Sequence, residues 1–174
     1  MSPRAAWRLE TLGFTRVYDY VGGKADWFAA GLPIEGRLAD VPRAGGVARR
    51  DDVTCRLTDR LGDVAAEARA VGKETCVVVT DGGILLGRVR GEALDGDPEA
   101  KVEEIMESGP TTVRTNTTLD SIVERLRSRN VDSILVTTSD GKLVGTLYLS
   151  DAERRLGGAG SDAEEDEASC NCKG

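Results

Sequence analysis

The chain has 174 residues, of which 30 are acidic and 23 basic, so its net charge is −7 and its isoelectric point about 4.8. This acidic balance argues against nucleic acid as a main partner, because phosphate binding favours a basic face. The longest apolar runs, such as Cys76 to Val79, are too short to cross a bilayer, and the start lacks the apolar segment of a signal peptide. The composition predicts a cytoplasmic protein with reduced cysteines and without a nucleic-acid or membrane partner.

The first 36 residues differ in pattern from the rest of the chain. Apolar residues at helical spacing predict a helix that Gly13 ends, and a short strand is predicted at Val17–Tyr20. A second helix is predicted at Asp26–Ala30, because Gly31 and Pro33 follow it.

This segment resembles the C-terminal end of a rhodanese, a sulfurtransferase domain. The matching residues are Ser2, Ala5, Ala6, Leu9, Gly13, Phe14, Val17, Tyr18, Gly22, Gly23, Trp27, Ala30, Gly31, Leu32 and Pro33. In that family a catalytic cysteine lies a few residues before the serine that Ser2 resembles, and no cysteine of this chain precedes Cys55. A thiolate nucleophile also needs an anion-binding loop. We therefore expect no catalytic residue and no enzyme activity.

Residues 1–36 are expected to be either a decayed domain or the end of one that begins upstream of the recorded start. Alone, Trp27, Phe28 and Leu32 would expose apolar surface. We expect these side chains to dock on the repeat pair that lies later in the chain or on a second chain.

Residues 37–50 are predicted to be a linker with little apolar periodicity. Its arginines include Arg43, Arg49 and Arg50. They are interpreted either as part of a solvated connector or as a basic lip that meets a ligand phosphate.

The remainder contains a repeat, since the stretch from Thr111 to Asp151 aligns without a gap on residues 58 positions earlier. The identical positions of the later copy include Thr112, Arg114, Leu119, Arg127, Val136, Thr138, Gly141, Leu143 and Gly145. A repeat of this length indicates one supersecondary unit used twice, each copy burying a face that it cannot bury alone. The two copies are therefore expected to pack as a pseudo-symmetric pair.

Each copy has the pattern strand, helix, strand, strand, helix. In the second copy the predicted elements are strands at 111–114, 133–138 and 143–149, a helix that Thr117 caps and Asn130 ends, and a last helix opened by a capping box of Ser150 and Glu153. In the first copy they are strands at 75–80 and 84–90 and a helix that Thr58 caps. A short helix around Val102, Ile105 and Met106 is predicted between the copies.

The repeat resembles the CBS domain, and two in tandem resemble a Bateman module. The residues that carry the likeness are 132–136 (Asp-Ser-Ile-Leu-Val), 140–145 (Asp-Gly-Lys-Leu-Val-Gly) and Asp151, six places after that glycine. The resemblance implies an α+β fold in which CBS motifs at 51–98 and 99–157 pack with pseudo-two-fold symmetry. It also implies a regulatory module that forms a homodimer.

The resemblance further implies an adenosyl ligand, such as AMP, ATP or S-adenosylmethionine, in the cleft between the motifs. In the family an aspartate accepts hydrogen bonds from both ribose hydroxyls, and Asp151 is at that position, whereas Ala93 is its counterpart in the first motif. The residues implied to bind the ligand are Asp151, Ser150, Tyr148, Thr112, Val113, Val136 and Arg90. Tyr148 and Arg90 stand where the family has a Ser or Thr that helps to hold phosphate.

Alternatives remain open at several of these positions. Asp151 and Ser150 are also consistent with a helix cap that involves no ligand. Arg88 and Arg90 are interpreted either as a strand edge in water or as phosphate donors. For the whole chain the alternative is a ligand-free dimerisation or scaffold module with a catalytically dead rhodanese remnant.

Residues 158–174 form an acidic tail without apolar anchors, which predicts disorder. Cys170 and Cys172 lie in this tail, but two thiols cannot close a zinc site that takes four ligands, so no metal site is expected. A redox or metal role for this pair is kept as the alternative. Cys55 and Cys76 fall on strand positions and are expected to be small hydrophobic core residues.

Overall fold

The computed structural model describes residues 2–36 and 39–157. The acidic tail, with Cys170 and Cys172, lies outside these ranges. The N-terminal segment contains helices α1 (Ser2–Thr11) and α2 (Gly23–Ala29). The strand predicted at Val17–Tyr20 is not formed, because no strand of the described residues lies beside it to complete a hydrogen-bonded ladder.

Helix α2 docks on the linker that follows it. The linker contains the short helix α3 (Ala44–Val47). The Arg43 guanidinium lies 5.1 Å from the centre of the Phe28 ring, and Arg50 donates a 2.8 Å hydrogen bond to the Ala29 carbonyl. Leu32 stays 38% exposed.

The first repeat contains a four-stranded sheet in the order β1-β2-β3-β4. Its elements are β1 (Val53–Cys55), α4 (Leu61–Ala70), β2 (Thr75–Val79), β3 (Leu85–Arg90), a 3₁₀ turn (Gly91–Asp95), α5 (Val102–Ile105) and β4 (Glu107–Ser108). Strands β1 and β2 are parallel, and the other pairs are antiparallel. The last helix predicted for this repeat is replaced by the 3₁₀ turn.

The second repeat contains a three-stranded sheet in the order β5-β6-β7. Its elements are β5 (Thr112–Arg114), α6 (Leu119–Arg129), β6 (Ser133–Thr137), β7 (Leu143–Tyr148) and α7 at 149–157. The pairing register repeats that of the first sheet, since Thr54 is opposite Val77 and Thr112 is opposite Leu135.

The helix caps differ from the sequence prediction. Thr118 and Arg60 are the N-cap residues of α6 and α4, not Thr117 and Thr58, and neither forms a side-chain cap bond. Asn130 ends α6 as predicted, with the left-handed φ of 51° that asparagine tolerates. The capping box does not form, because α7 begins before Ser150 and the Glu153 carboxylate accepts hydrogen bonds from Arg127.

The segment that precedes each repeat in the chain packs in the core of the other repeat. Ala44, from the linker, is fully buried in the core of the second repeat. Val102, which precedes the second repeat in the chain, is fully buried in the core of the first. Each core is therefore completed by residues that the sequence places next to the other copy.

The two sheets meet through a small apolar cluster and a pair of turns. Val77, Val79 and Leu135 form the buried cluster. The Leu85 amide donates to the Gly141 carbonyl at 3.0 Å, and the Leu143 amide donates to the Gly83 carbonyl at 2.9 Å. Under the 58-residue shift Leu85 corresponds to Leu143 and Gly83 to Gly141, so each of these two bonds is the counterpart of the other. Strands β2 and β6 are almost fully buried because they have helices on one face and the other repeat on the opposite face.

Candidate functional site

Two adjoining cavities lie in the cleft between the repeats. The first, here the arginine cavity, has a volume of about 320 Å³. Its lining includes Arg88 and Arg90 of β3, Arg125 and Arg129 of α6, Asp132, Ser133 and Ile134. The second, here the tyrosine cavity, has a volume of about 310 Å³. Its lining includes Asp52, Lys73, Thr75, Ile134, Leu135, Thr146 and Tyr148, together with Arg88, Arg90 and Ser133 again. Both volumes are at the lower end of the range of about 300–1,000 Å³ that is usual for ligand pockets.

The arginines shared by the cavities are held by one carboxylate. Strand β4 places Glu107 beside β3, and its two oxygens accept bonds from Arg88 Nε at 3.0 Å and from Arg90 Nε at 3.2 Å. The hydrogen bond from Arg88, with a further one from Arg90, holds the pKa of Glu107 below its ordinary value. Glu107 is therefore ionised at neutral pH and positions both guanidinium groups at the cleft.

The tyrosine cavity is lined by a carboxylate, that of Asp52, of which one oxygen accepts a hydrogen bond within the described part of the chain and the other does not. Asp52 Oδ1 accepts a 2.7 Å hydrogen bond from the Thr146 hydroxyl, whereas Oδ2 is buried and has no partner among the described residues. Burial raises the pKa of Asp52 above its ordinary value. Because an unpaired buried acceptor is costly, a donor that reached Oδ2 would be bound favourably.

Asp151 lines neither cavity. Its carboxylate accepts hydrogen bonds from Arg49 Nε at 2.6 Å and Arg49 Nη2 at 2.9 Å, and Arg154 lies 3.1 Å away. The bond from Arg49 lowers the pKa of Asp151. Arg49 also lies 5.0 Å from the centre of the Tyr148 ring, so it connects Asp151 to the wall of the tyrosine cavity.

Of the other predicted site residues, the structure brings Tyr148 and Arg90 together in the lining of the tyrosine cavity. Val113 and Val136 are buried in the core of the second repeat, opposite each other on β5 and β6. Thr112 is half-buried on β5 and Ser150 is exposed on α7, and neither lines a cavity described above.

Sequence reasoning did not single out Asp52, Lys73, Arg125 or Arg129. Arg125 and Arg129 have helical i, i+4 spacing, so their common face on α6 could have been found. Asp52 carried no such signal, because only the fold brings it within reach of Thr146, which is 94 positions away.

Other kinds of site receive little support. The described residues contain no group of three or more His, Cys, Asp or Glu side chains able to hold a metal ion. Cys55 and Cys76 are buried core residues, as predicted. A hydrogen bond with the Cys55 thiol, together with burial, raises the pKa of Cys76, so the Cys76 thiol stays protonated. No helix in the described ranges has the length and apolar character that a membrane span requires.

Comparison with known proteins identifies this architecture. A family model of the CBS domain matches residues 102–158. The cytosolic domain of the Mg²⁺ channel MgtE in complex with ATP is 25% identical over 65% of this chain, with a TM-score of 0.60. The chain has the fold of a CBS domain pair. It spans about half of that MgtE domain, 48% of its length.

Two further solved CBS proteins share this fold. CBSX2 in complex with AMP is 19% identical, with 66% of this chain and 96% of that chain covered and a TM-score of 0.58. The CBS domain pair of protein MJ0100, in complex with 5′-methylthioadenosine and S-adenosyl-L-methionine, is 17% identical, with 65% and 94% covered and a TM-score of 0.54. A comparison with curated proteins gave no match.

Proposed function

We propose that the protein is a cytoplasmic regulatory module that binds an adenosyl ligand, such as AMP, ATP or S-adenosylmethionine, between its CBS repeats. The observation that carries this proposal is the cleft itself, where two adjoining cavities share Arg88 and Arg90. Three of the solved proteins with this fold are described in complex with an adenosine compound. The turn-to-turn hydrogen bonds that exchange under the 58-residue shift support a pseudo-two-fold arrangement of the pair.

The tyrosine cavity supplies the contacts that an adenosyl group needs. Tyr148, Ile134 and Leu135 provide aromatic and aliphatic surface for the base. Asp52 Oδ2 is a free acceptor for an N–H or O–H of the nucleoside. Arg90 supplies a donor for phosphate, which is one of the two roles that the sequence left open for it.

A ribose contact at Asp151 is retained as part of the proposal, with one condition. The carboxylate is already bound by Arg49, and its side chain is only 10% exposed. A ribose could bind there only after Arg49 moved away. Ser150, Thr112, Val113 and Val136 then act by fixing the positions of α7 and of strands β5 and β6.

Titration calorimetry and thermal melting with AMP, ATP and S-adenosylmethionine test the proposal. A ligand that binds only the folded form should stabilise it by about 2.7 kcal/mol at a hundredfold excess over its dissociation constant. Arg90→Ala and Tyr148→Ala should each weaken binding by about tenfold or more. Arg60→Ala is the matched control, because Arg60 pairs with Glu99 at 3.0 Å and lines neither cavity. Unchanged melting with all three compounds would refute ligand binding.

A ligand-free dimerisation or scaffold module is the second candidate, favoured by the N-terminal segment. Its most exposed large hydrophobic side chains are Trp7 at 66%, Leu12 at 59%, Phe14 at 60%, Tyr18 at 85% and Val21 at 95%. Such a surface is typical of an interaction site and fits a rhodanese-like remnant that contacts a second copy. Light scattering should then give a dimer mass without nucleotide, and Trp7→Asp with Phe14→Asp should give the monomer mass. A monomer at all concentrations would exclude this candidate.

A further inference from the structure

The arginine cavity concentrates positive charge in an acidic protein. Four arginines line it, Arg88, Arg90, Arg125 and Arg129, and the acidic residue in the lining is Asp132. The whole chain has a net charge of −7. We propose that this cavity is a polyphosphate subsite, so that the ligand of the cleft carries two or more phosphates. The inference rests on the proposed adenosyl function and narrows its ligand class.

The two helix arginines are available for a ligand. Arg125 and Arg129 are one turn apart on α6 and face the same cavity. Among the described residues, neither has an ion-pair partner, whereas Arg127 on the same helix is bound to Glu153 at 2.7 Å. A charged phosphate oxygen forms strong hydrogen bonds with guanidinium groups, often with two N–H groups at once.

The two strand arginines are only partly neutralised. Arg88 and Arg90 share the single carboxylate of Glu107. Counting Glu107 and Asp132 against the four arginines leaves an excess of positive charge in a concave site, which attracts anions more strongly than a flat surface does. The arrangement therefore favours an anion with several charged groups.

The position of this subsite defines the rest of the ligand. Ser133 and Ile134 line both cavities, as do Arg88 and Arg90. A nucleoside in the tyrosine cavity can extend its phosphates past these shared residues into the arginine cavity. S-adenosylmethionine carries a sulfonium, an ammonium and a single carboxylate group, so its net charge is positive and the four arginines would favour a polyphosphate over it.

The test compares ATP, ADP, AMP, S-adenosylmethionine and inorganic tripolyphosphate by titration calorimetry on the full chain. We expect ATP to bind at least about tenfold more tightly than AMP, and tripolyphosphate to compete with ATP. The double variant R125A/R129A should weaken ATP by about tenfold or more while AMP changes less than about twofold. The control R60A/R127A removes the same charge at positions that line neither cavity.

The outcomes separate this inference from the proposed function. If R125A/R129A leaves ATP binding unchanged, or weakens AMP as much as ATP, the polyphosphate subsite is wrong even though the adenosyl module stands. If tripolyphosphate binds through these arginines and no adenosyl compound binds, the subsite stands and the adenosyl function is wrong. If R60A/R127A weakened ATP binding as much as R125A/R129A, the loss would be a general effect of protein charge, and the inference would be wrong.

Discussion

The guanidinium of Arg49 forms a bidentate ion pair with the carboxylate of Asp151, with N···O distances of 2.6 and 2.9 Å. The two residues are 102 positions apart, and the pair joins the linker before the first repeat to the helix that ends the second. Arg49 is also hydrogen-bonded to Thr146 of β7 through its own backbone, in both directions at 2.9 Å. The linker is therefore fixed on the second repeat by main-chain and side-chain bonds together.

Releasing this ion pair should change ligand binding if Asp151 contacts ribose. We expect Arg49→Ala to tighten binding of AMP by about threefold to tenfold, because a charged competitor for the carboxylate is removed. Calorimetry with Arg49→Ala and with Arg49→Ala/Asp151→Ala measures this, and the double variant should lose the gain. Arg60→Ala is the control of equal charge, because Arg60 pairs with Glu99 away from Asp151. An unchanged dissociation constant in Arg49→Ala would assign Asp151 a structural role.

The stability of the fold should depend on the ionisation of Asp151 in acid. Its pKa is lowered in the folded state, chiefly by the hydrogen bond from Arg49, so the unfolded chain binds more protons between the two pKa values. The stabilisation that ionised Asp151 contributes is fully present above its unfolded-state pKa of about 3.9 and is lost as the pH falls through the lowered folded-state pKa. Thermal melting across about pH 2.5–7 should show a difference between wild type and Arg49→Ala that narrows below about pH 4. A difference that is constant with pH would contradict the ionic origin.

Gly145 provides a test of how closely the linker crosses β7. A methyl group at Gly145 would overlap the Arg49 carbonyl. At Gly87 of β3, the matching position of the first repeat, a methyl group would lie 2.8 Å from the Glu107 carbonyl oxygen. We expect Gly145→Ala to destabilise the protein by about 3 kcal/mol, because main-chain atoms must move. Denaturant unfolding measures the change. Gly46→Ala, which meets no atom within 4 Å, should change stability by less than about 1 kcal/mol. Equal effects of the two substitutions would contradict this contact.

Leu135 tests whether the repeats depend on each other. It is 4% exposed and packs with Val77 and Val79 of the first repeat. Leu135→Ala should cost about 2–5 kcal/mol, since it leaves a cavity in the shared cluster. Leu12→Ala, at a residue 59% exposed, should cost less than about 0.5 kcal/mol.

The effect of Leu135→Ala should reach both sheets. Hydrogen exchange should accelerate at the amides of β2 as well as β6, because both strands bury one face against the other repeat. Acceleration confined to β6 would show that the second repeat is stable without the first.

The elements of the repeats could be predicted because their signals are local. Apolar runs separated by turn residues predicted β2, β3, β6 and β7 to within about one residue at each end. Val17–Tyr20 has a similar composition but forms no strand, since a strand requires a neighbour. The cap residues were displaced by up to two positions because packing of α4 and α6 decided where each helix begins.

The order of residues alone indicates that one unit is used twice and that its apolar faces need a partner, because duplication and periodicity are visible in it. The packing of the chain in three dimensions places Ala44 in the second core and Val102 in the first, and it pairs Arg49 with Asp151. It also brings Asp52, Arg125 and Arg129 to the cleft between the repeats. These contacts join residues far apart in the chain. Their formation depends on how two sheets and their linkers pack in space, and no local spacing encodes that packing.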